Sequence, residues 1–165
     1  MAKTQQVAAL PWRKGEKGAE ILLVTTRTTK RWVIPKGWTM DGKADHEAAA
    51  IEAFEEAGVL GVADLNPLGR YGYVKLLQNG KARHVKVRVF ALAVDEILED
   101  WPERTERQRQ WVSPQQALAL IGEPELLQII ADFAQRQGVA ITLPRTENKF
   151  VVFIRTWWRK LWADK

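Results

Sequence analysis

The chain has 165 residues, of which 46% are hydrophobic and 27% charged, and this composition fits one globular domain with a sizeable core. Its formal charge of +5 favours polyanionic partners such as phosphates, nucleic acid or an anionic membrane surface. The absence of cysteine excludes disulfides and a thiolate nucleophile, and two histidines are too few for the usual structural zinc sites. Neither a secretion signal nor an apolar run long enough to cross a bilayer is present, so we expect a cytoplasmic protein.

The first part of the chain predicts two strands followed by a basic loop. Residues Gln6 to Trp12 and Glu20 to Thr26 are short apolar runs, and a charged segment with glycines separates them. The stretch from Thr25 to Gly37 then ends in a Pro-Lys-Gly breaker, which is typical of a loop that enters a site. Its cations are Arg27, Lys30, Arg31 and Lys36. They can bind phosphate or remain solvated, and the sequence leaves both readings open.

A helix is predicted between Asp45 and Gly58. Asp45 suits the N-cap, Gly58 suits the position just beyond the C-terminus, and the alanines and glutamates between them are good helix formers. Its apolar residues predict a buried face, with the glutamates at the margin of that face or on the opposite side. These apolar residues are Ala50, Ile51, Phe54 and Ala57.

Three carboxylates crowd together on this helix. Glu52, Glu55 and Glu56 share one face, because residues three and four apart on a helix are neighbours. Like charges at this spacing destabilise a helix, so the cluster requires an offsetting cation, and a hard divalent metal favours oxygen ligands. The alternative is an ordinary solvated acidic face.

The middle of the chain predicts a β-hairpin. Residues Leu68 to Leu77 and Ala82 to Val94 look like strands, and the intervening Asn79-Gly80 is a strong turn signal. In the second strand, valines and an alanine at 85, 87, 89 and 91 alternate with three cationic or titratable residues, namely His84, Lys86 and Arg88. The polar side of this strand either faces solvent or forms a positively charged surface that binds phosphate.

After the hairpin, the segment from Asp95 to Gln110 is dense in charges of both signs and predicts a loop. Trp111-Val112 predicts a short strand, and Ser113-Pro114 begins a helix through Leu120. A last helix of the domain is predicted from Pro124 to Gln137. Its predicted core face consists of Leu126, Leu127, Ile130 and Phe133.

The C-terminal tail, residues 144–165, is predicted as a basic amphipathic helix separate from a domain at 1–143. From Glu147 to Trp162, apolar and tryptophan residues recur at helical spacing, with lysines and arginines elsewhere around the wheel. Such a helix docks on its own domain, docks on a second copy of the chain in a homodimer, or lies on a membrane.

The stretch from Gly37 to Val59 resembles the Nudix box, Gly-x5-Glu-x7-Arg-Glu-U-x-Glu-Glu-x-Gly-U, in which U is a bulky apolar residue. The residues at matching positions are Gly37, Glu52, Glu55, Glu56, Gly58 and Val59. Segments outside the box, such as the approach R-W-V-I-P-K-G-W and the later E-I-L-E-D-W-P-E-R, look like the diphosphoinositol polyphosphate phosphohydrolase branch of the family. The resemblance implies an α+β fold, an α/β/α sandwich with a mixed β-sheet between helices.

The same resemblance implies a metal-dependent hydrolase. Nudix enzymes cleave a diphosphate linked to another moiety and use Mg²⁺ or Mn²⁺. By position, Glu55 and Glu56 would be metal ligands, Glu52 a ligand or the base that activates water, and the backbone carbonyl near Lys36-Gly37 a further ligand. A carboxylate outside the box often completes such sites. The sequence does not rank the candidates, which are Glu96, Glu99 and Glu103.

Two residues depart from the box. Lys43 stands where the pattern has glutamate, and Ile51 stands where it has arginine. An arginine at 51 would lie one turn before Glu55 and could brace the carboxylates, whereas isoleucine cannot. Lys43 either compensates as a cation near the cluster, contacts substrate phosphate or remains solvated, and Asp41 or Glu47 could replace the missing acid.

The leading hypothesis is therefore a Nudix pyrophosphohydrolase that cleaves a diphosphoinositol polyphosphate or a dinucleoside polyphosphate. The residues predicted to bind substrate phosphate are Arg27, Arg31, Lys36, His84, Lys86 and Arg88. The departures at 43 and 51 motivate an alternative, a catalytically impaired module that binds a phosphate ligand without turnover. Nucleic-acid binding or RNA decapping is a third hypothesis, although we expect no nucleic-acid partner.

Overall fold

The computed structural model of the chain describes residues 4–143, and the predicted tail helix at 144–165 lies outside the described residues. The division into two regions at residue 143 therefore stays a prediction. In chain order the elements are β1 Gln5–Gly15, β2 Gly18–Thr25, β3 Trp32–Val33, β4 Lys36–Trp38, α1 Asp45–Ala57, β5 Val59–Ala63, β6 Gly69–Leu76, β7 Ala82–Ile97, β8 Arg109–Val112, α2 Pro114–Leu120 and α3 Pro124–Arg136. Among these helices, none is both long and apolar enough to cross a membrane.

All the described strands belong to one mixed sheet. Its main order is β3-β2-β1-β7-β5, while β4 pairs with β1, β6 with β7 and β8 with β2. The neighbours β1 and β7 run parallel, and every other pairing is antiparallel. The predicted α+β fold, with a mixed sheet between helices, is confirmed for the described residues.

The two faces of the sheet build two hydrophobic cores. Successive side chains of a strand point to opposite faces, and β1 shows this alternation clearly. Val7 and Ala9 pack under α1, whereas Ala8 and Leu10 pack under α2 and α3. Because residues 6–11 of β1 are buried and both faces of this segment carry apolar side chains, the segment lies at the centre of the sheet.

The strand predictions were correct for β1, β2, β6, β7 and β8 and incomplete elsewhere. The basic loop contains the short strands β3 and β4, which are too brief to show an alternating pattern. The strand β5 directly follows the predicted helix and was missed. The charged segment from Asp95 to Gln110 is a loop only between the end of β7 and the start of β8.

The boundaries of α1 differ from the prediction at one end. Its N-cap is Ala44, and the side chain of Glu47 accepts a hydrogen bond of 3.0 Å from the Ala44 backbone N–H. Asp45 is the first helical residue, and its carboxylate instead binds Arg88. At the other end Gly58 has a φ of 64°, a left-handed conformation that suits glycine, as predicted.

Of the four residues predicted for the buried face of α1, Ala57 is buried and the other three are only partly buried. The buried residues are Ala48, Ala49, Ala53, Glu56 and Ala57, while Ala50, Ile51 and Phe54 are partly exposed. The small alanines allow the helix to lie close to the sheet, and larger side chains remain at its margins. Glu56 therefore lies on the buried side of the helix rather than at its edge.

Candidate active site

The carboxylate of Glu52 on α1 lies against Gly37 of the sheet. Gly37 lies in β4 beside Val7 of β1. A Cβ atom at Gly37 would overlap Oε1 of Glu52, so any side chain at this position would displace the carboxylate. The glycine thus allows the Glu52 carboxylate to lie directly against the backbone of β4.

Glu56 is held by donors from two other parts of the chain. Its Oε1 accepts a hydrogen bond of 2.6 Å from Nη2 of Arg107, and its Oε2 accepts one of 3.1 Å from the Lys36 backbone N–H. The side chains of Glu56 and Arg107 are 8% and 9% exposed, so this is a buried ion pair. Both carboxylate oxygens are therefore oriented from outside the helix.

Arg107 also ties this carboxylate to the loop that precedes β8. Its Nε donates to Oε2 of Glu103 at 2.5 Å, and its Nη1 donates to the backbone carbonyl of Thr25 at 2.9 Å. Oε1 of Glu103 in turn accepts a hydrogen bond from Arg27. The resulting network links α1, the end of β2 and the loop through charge-assisted hydrogen bonds.

The structure ranks the carboxylates outside the box. Glu103 is largely buried, and its negative charge raises the pKa of both Glu52 and Glu56. Glu96 and Glu99 are exposed near the end of β7. Of the three candidates, Glu103 is the one that belongs electrostatically to the cluster.

Burial and like charge perturb the titration of the two glutamates that face the sheet. Burial is the largest cause that raises the pKa of Glu52 to about 7, and the charges of Glu56 and Glu55 add to it. Burial also raises the pKa of Glu56, whereas Arg107 and Lys36 act in the opposite direction. The pKa of Lys36 is lowered by burial, against the attraction of Glu56. The site is thus a partly desolvated acidic cluster that favours the binding of a cation.

The donor set suits a hard divalent cation. Carboxylate oxygens and backbone carbonyls are the ligands that Mg²⁺ and Mn²⁺ prefer, and Glu52, Glu55, Glu56 and the Lys36-Gly37 backbone provide both types. Within residues 4–143, however, no three His, Cys, Asp or Glu side chains converge as a metal-binding group. The assignment of these residues as metal ligands therefore stays a prediction.

The six residues predicted to bind phosphate fall into two groups. Lys36 pairs across the sheet with Ala8, which faces α2 and α3, and Arg31 acts electrostatically on Lys36. Arg88 pairs with Val7, which faces α1, and His84 and Lys86 share that face of β7. The first group comprises Arg27, Arg31 and Lys36, and the second comprises His84, Lys86 and Arg88.

Each group contains partners that sequence reasoning missed. Arg27 binds Glu103 and Glu106, and Arg31 lies 3.8 Å from Glu123. In the second group Arg88 binds Asp45, and Arg70 of β6 lies directly opposite Arg88. Arg70, Lys86 and Arg88 line a small cleft of about 30 Å³ together with Gln5, Thr39 and Asp45. The β6–β7 register places Arg70 there, and the predicted hairpin, whose first strand contains Arg70, was the signal that could have found it.

A family model described as NUDIX domain matches residues 3–133 of the chain. The chain belongs to the NUDIX domain family. It is 39% identical over 104 residues to Nudix hydrolase 12, mitochondrial, from Arabidopsis thaliana, a match that covers 61% of this chain and 51% of that protein. It is 30% identical over 119 residues to diphosphoinositol polyphosphate phosphohydrolase 2 from Rattus norvegicus, covering 71% of this chain and 62% of that protein.

The Nudix fold is also found by structural comparison. The C. elegans Ap4A hydrolase has a TM-score of 0.58 to this chain at 19% sequence identity, covering 82% of this chain and 98% of that one. At this identity the likeness shows the fold alone. The chain spans about half the length of the Arabidopsis relative, since the match covers 51% of it.

Neither departure from the Nudix box is a fully buried residue. Lys43 is exposed in the turn before α1, where its backbone N–H donates to the carbonyl of Met40 at 3.2 Å. Ile51 is partly exposed at the margin of α1. Glu47, considered as a replacement acid, is engaged at the N-terminus of α1. In the buried network, the carboxylate of Glu56 is instead bound by Arg107, which lies outside the box.

Proposed function

We propose that this Nudix chain is a metal-dependent pyrophosphohydrolase that cleaves a diphosphate bond in a highly charged small molecule. The observation that carries this proposal is the placement of Glu52 against Gly37 beside the buried Glu56. This arrangement brings partly desolvated carboxylates of the Nudix box to one point of the sheet. Such a cluster is stabilised by a divalent cation and is poorly explained as an ordinary solvated helix face.

In this proposal Glu52, Glu55, Glu56 and the backbone carbonyl near Lys36-Gly37 would hold Mg²⁺ or Mn²⁺. The bound ion would supply neutralisation of phosphate charge and acidification of water. Glu52 would be either one of these ligands or the base that accepts a proton from water. The oxygen of water forms a bond to phosphorus, the bridging P–O bond breaks with its electron pair leaving on the departing phosphate, and the proton of water passes to the base.

The proposed substrate is a diphosphoinositol polyphosphate or a dinucleoside polyphosphate. The rat relative is named for the first class, and the C. elegans structure is named for Ap4A, a member of the second. Both classes carry several phosphates, which fits the exposed arginines near the acidic cluster. Arg27 and Arg31 have side chains that are 58% and 62% exposed, so substrate can reach them.

The test is a hydrolysis screen over both substrate classes with Mg²⁺ or Mn²⁺. We expect metal-dependent release of phosphate or nucleotide from at least one class, and a loss of about 10²-fold or more in kcat for the double variant Glu55→Gln, Glu56→Gln. Glu16→Gln, an exposed carboxylate in the turn after β1, is the matched control and should retain activity. Activity that survives the double substitution would contradict the assigned roles.

The second candidate function is a Nudix module that binds a phosphate ligand without turnover. The observation that favours it is that both oxygens of Glu56 are already engaged, one by Arg107 and the other by the Lys36 backbone. It predicts heat of ligand binding by calorimetry with no metal-dependent product. The joint substitution Ile51→Arg and Lys43→Glu discriminates between the two functions, because a large gain from an inactive chain favours the binding module.

A further inference from the structure

The loop between β7 and β8, with the first residue of β8, closes over the C-terminal end of α1. A helix end leaves its last four carbonyls without intrahelical partners. Here each of these carbonyls accepts a hydrogen bond from the loop or from the first residue of β8. The backbone N–H of Glu103 donates to the carbonyl of Glu55 at 3.0 Å, and Nε1 of Trp101 donates to that of Glu56 at 3.2 Å. Arg109 donates to the carbonyl of Ala57 at 2.8 Å, and the backbone N–H of Leu98 donates to that of Gly58 at 2.8 Å. The loop and the acidic end of α1 therefore form one unit.

The helix itself provides no cation for its carboxylates. The sequence of α1, from Asp45 to Ala57, contains neither lysine nor arginine, and Ile51 stands at the position where the box has arginine. Three glutamates in two turns of a partly buried helix nevertheless require an offsetting charge. That charge must come from a different element.

Arg107, in the loop joined to the end of α1, supplies this positive charge. Its planar guanidinium binds Glu56, Glu103 and the carbonyl of Thr25 at the same time. Because the fork is rigid and the side chain is only 9% exposed, these contacts fix the plane of the Glu56 carboxylate. An isolated surface arginine could not do this, since its side chain would exchange among many rotamers.

We infer that Arg107 is a positioning residue, which orients Glu56 for metal binding and supplies from outside the Nudix box the charge that residue 51 lacks. The inference rests on the proposed metal-dependent function. Partners that orient a metal ligand through a hydrogen bond govern metal affinity, so the role is measurable with the metal alone.

The experiment measures binding of Mn²⁺ alone to the full chain by calorimetry and by loss of the free Mn²⁺ EPR signal. We expect Arg107→Gln to weaken Mn²⁺ binding about 10–100-fold. Arg107→Lys should weaken it less, because it retains the charge and loses the fork. Arg104→Gln is the matched control: Arg104 lies in the same loop with a 58% exposed side chain, and the Mn²⁺ affinity of this variant should stay within about twofold of wild type.

Kinetics separate positioning from direct substrate contact. A positioning role predicts a lower kcat and a higher metal concentration for half-maximal activity, with KM for substrate nearly unchanged. A higher KM with unchanged Mn²⁺ affinity would show that Arg107 contacts substrate and would overturn the inference.

Two further results would overturn it. The first is that folded Arg107→Gln binds Mn²⁺ with an affinity within about twofold of wild type. Loss of an exposed ion pair would have an effect of this small size. The second is tighter binding, which would mean that Arg107 competes with the metal for Glu56. If Arg107→Gln does not fold, Arg107→Lys decides by the same criteria. Failure of wild type to bind Mn²⁺ would refute the proposed function and the inference with it, whereas wild-type binding that is insensitive to Arg107 refutes the inference alone.

Discussion

At the scale of single residues, Glu52 and Glu56 have the same chemistry and different environments. Burial raises the pKa of both, but Arg107 and Lys36 oppose this effect at Glu56, while neighbouring glutamates reinforce it at Glu52. With a pKa of about 7, Glu52 titrates near neutral pH. Its ionisation in the metal-free protein brings a further negative charge into the acidic site.

This difference predicts how the metal-free protein responds to pH. Because the folded-state pKa of Glu52 is raised from 4.5 to about 7, the folded state binds more protons than the unfolded state between these values, and stability falls as pH rises through them. We expect the Tm of wild type in EDTA to decrease from about pH 5 to about pH 8 more steeply than the Tm of Glu52→Gln. Thermal melts of both proteins across this range measure it, and parallel profiles would contradict it.

At the scale of elements, the sequence predicted what depends on local spacing. The helix from residue 45, the end at Gly58, the Asn79-Gly80 hairpin and the glutamates of the box all follow from short-range patterns. The role of Arg107 could not be predicted from local patterns, because Arg107 and Glu56 are 51 positions apart in the chain. The pairing of β8 with β2 brings the loop that carries Arg107 to the site. The buried face of α1 was only partly predicted, because apolar size suggested Ile51 and Phe54 where close packing requires alanine.

The junction of α1 and the loop gives a prediction about Gly58. A Cβ there would lie 2.7 Å from two ring carbons of Trp101 and 2.8 Å from Nη1 of Arg109, at a φ of +64°. We expect Gly58→Ala to combine backbone strain with displacement of these caps and to lower the free energy of unfolding by about 1–3 kcal/mol or more. Urea denaturation measures this change.

Gly138 provides the matched control for Gly58. It also follows a helix end and has a φ of +74°, and within residues 4–143 no atom lies within 4 Å of the Cβ position. Gly138→Ala should therefore show the backbone cost alone, of about 1 kcal/mol. Equal losses for the two variants would mean that the contacts of Trp101 and Arg109 do not stabilise the end of α1.

At the scale of the whole molecule, the sheet separates the basic side chains. Lys36, Ala8 and Val89 lie in register on one face, and Gly37, Val7 and Arg88 lie in register on the other. The charge of Glu56 acts on Arg27 and Lys36, which belong to the first group of cations. A substrate phosphate bound at the acidic cluster is thus expected to contact the first group, and the second group is expected to contribute less.

Substitution of one exposed cation from each group tests this separation. The side chain of Arg31 is 62% exposed and lies 3.8 Å from Glu123, so it is available to substrate phosphate. Loss of a charge-assisted hydrogen bond predicts that Arg31→Gln raises KM about 10–100-fold with a smaller change in kcat. Lys86→Gln, on the other face, should change KM by less than about threefold, because an exposed lysine distant from the diphosphate acts only through screened attraction. Steady-state kinetics on the best substrate of the screen measures both, and a larger effect at Lys86 would place the substrate phosphates beside the second group of residues instead of the first.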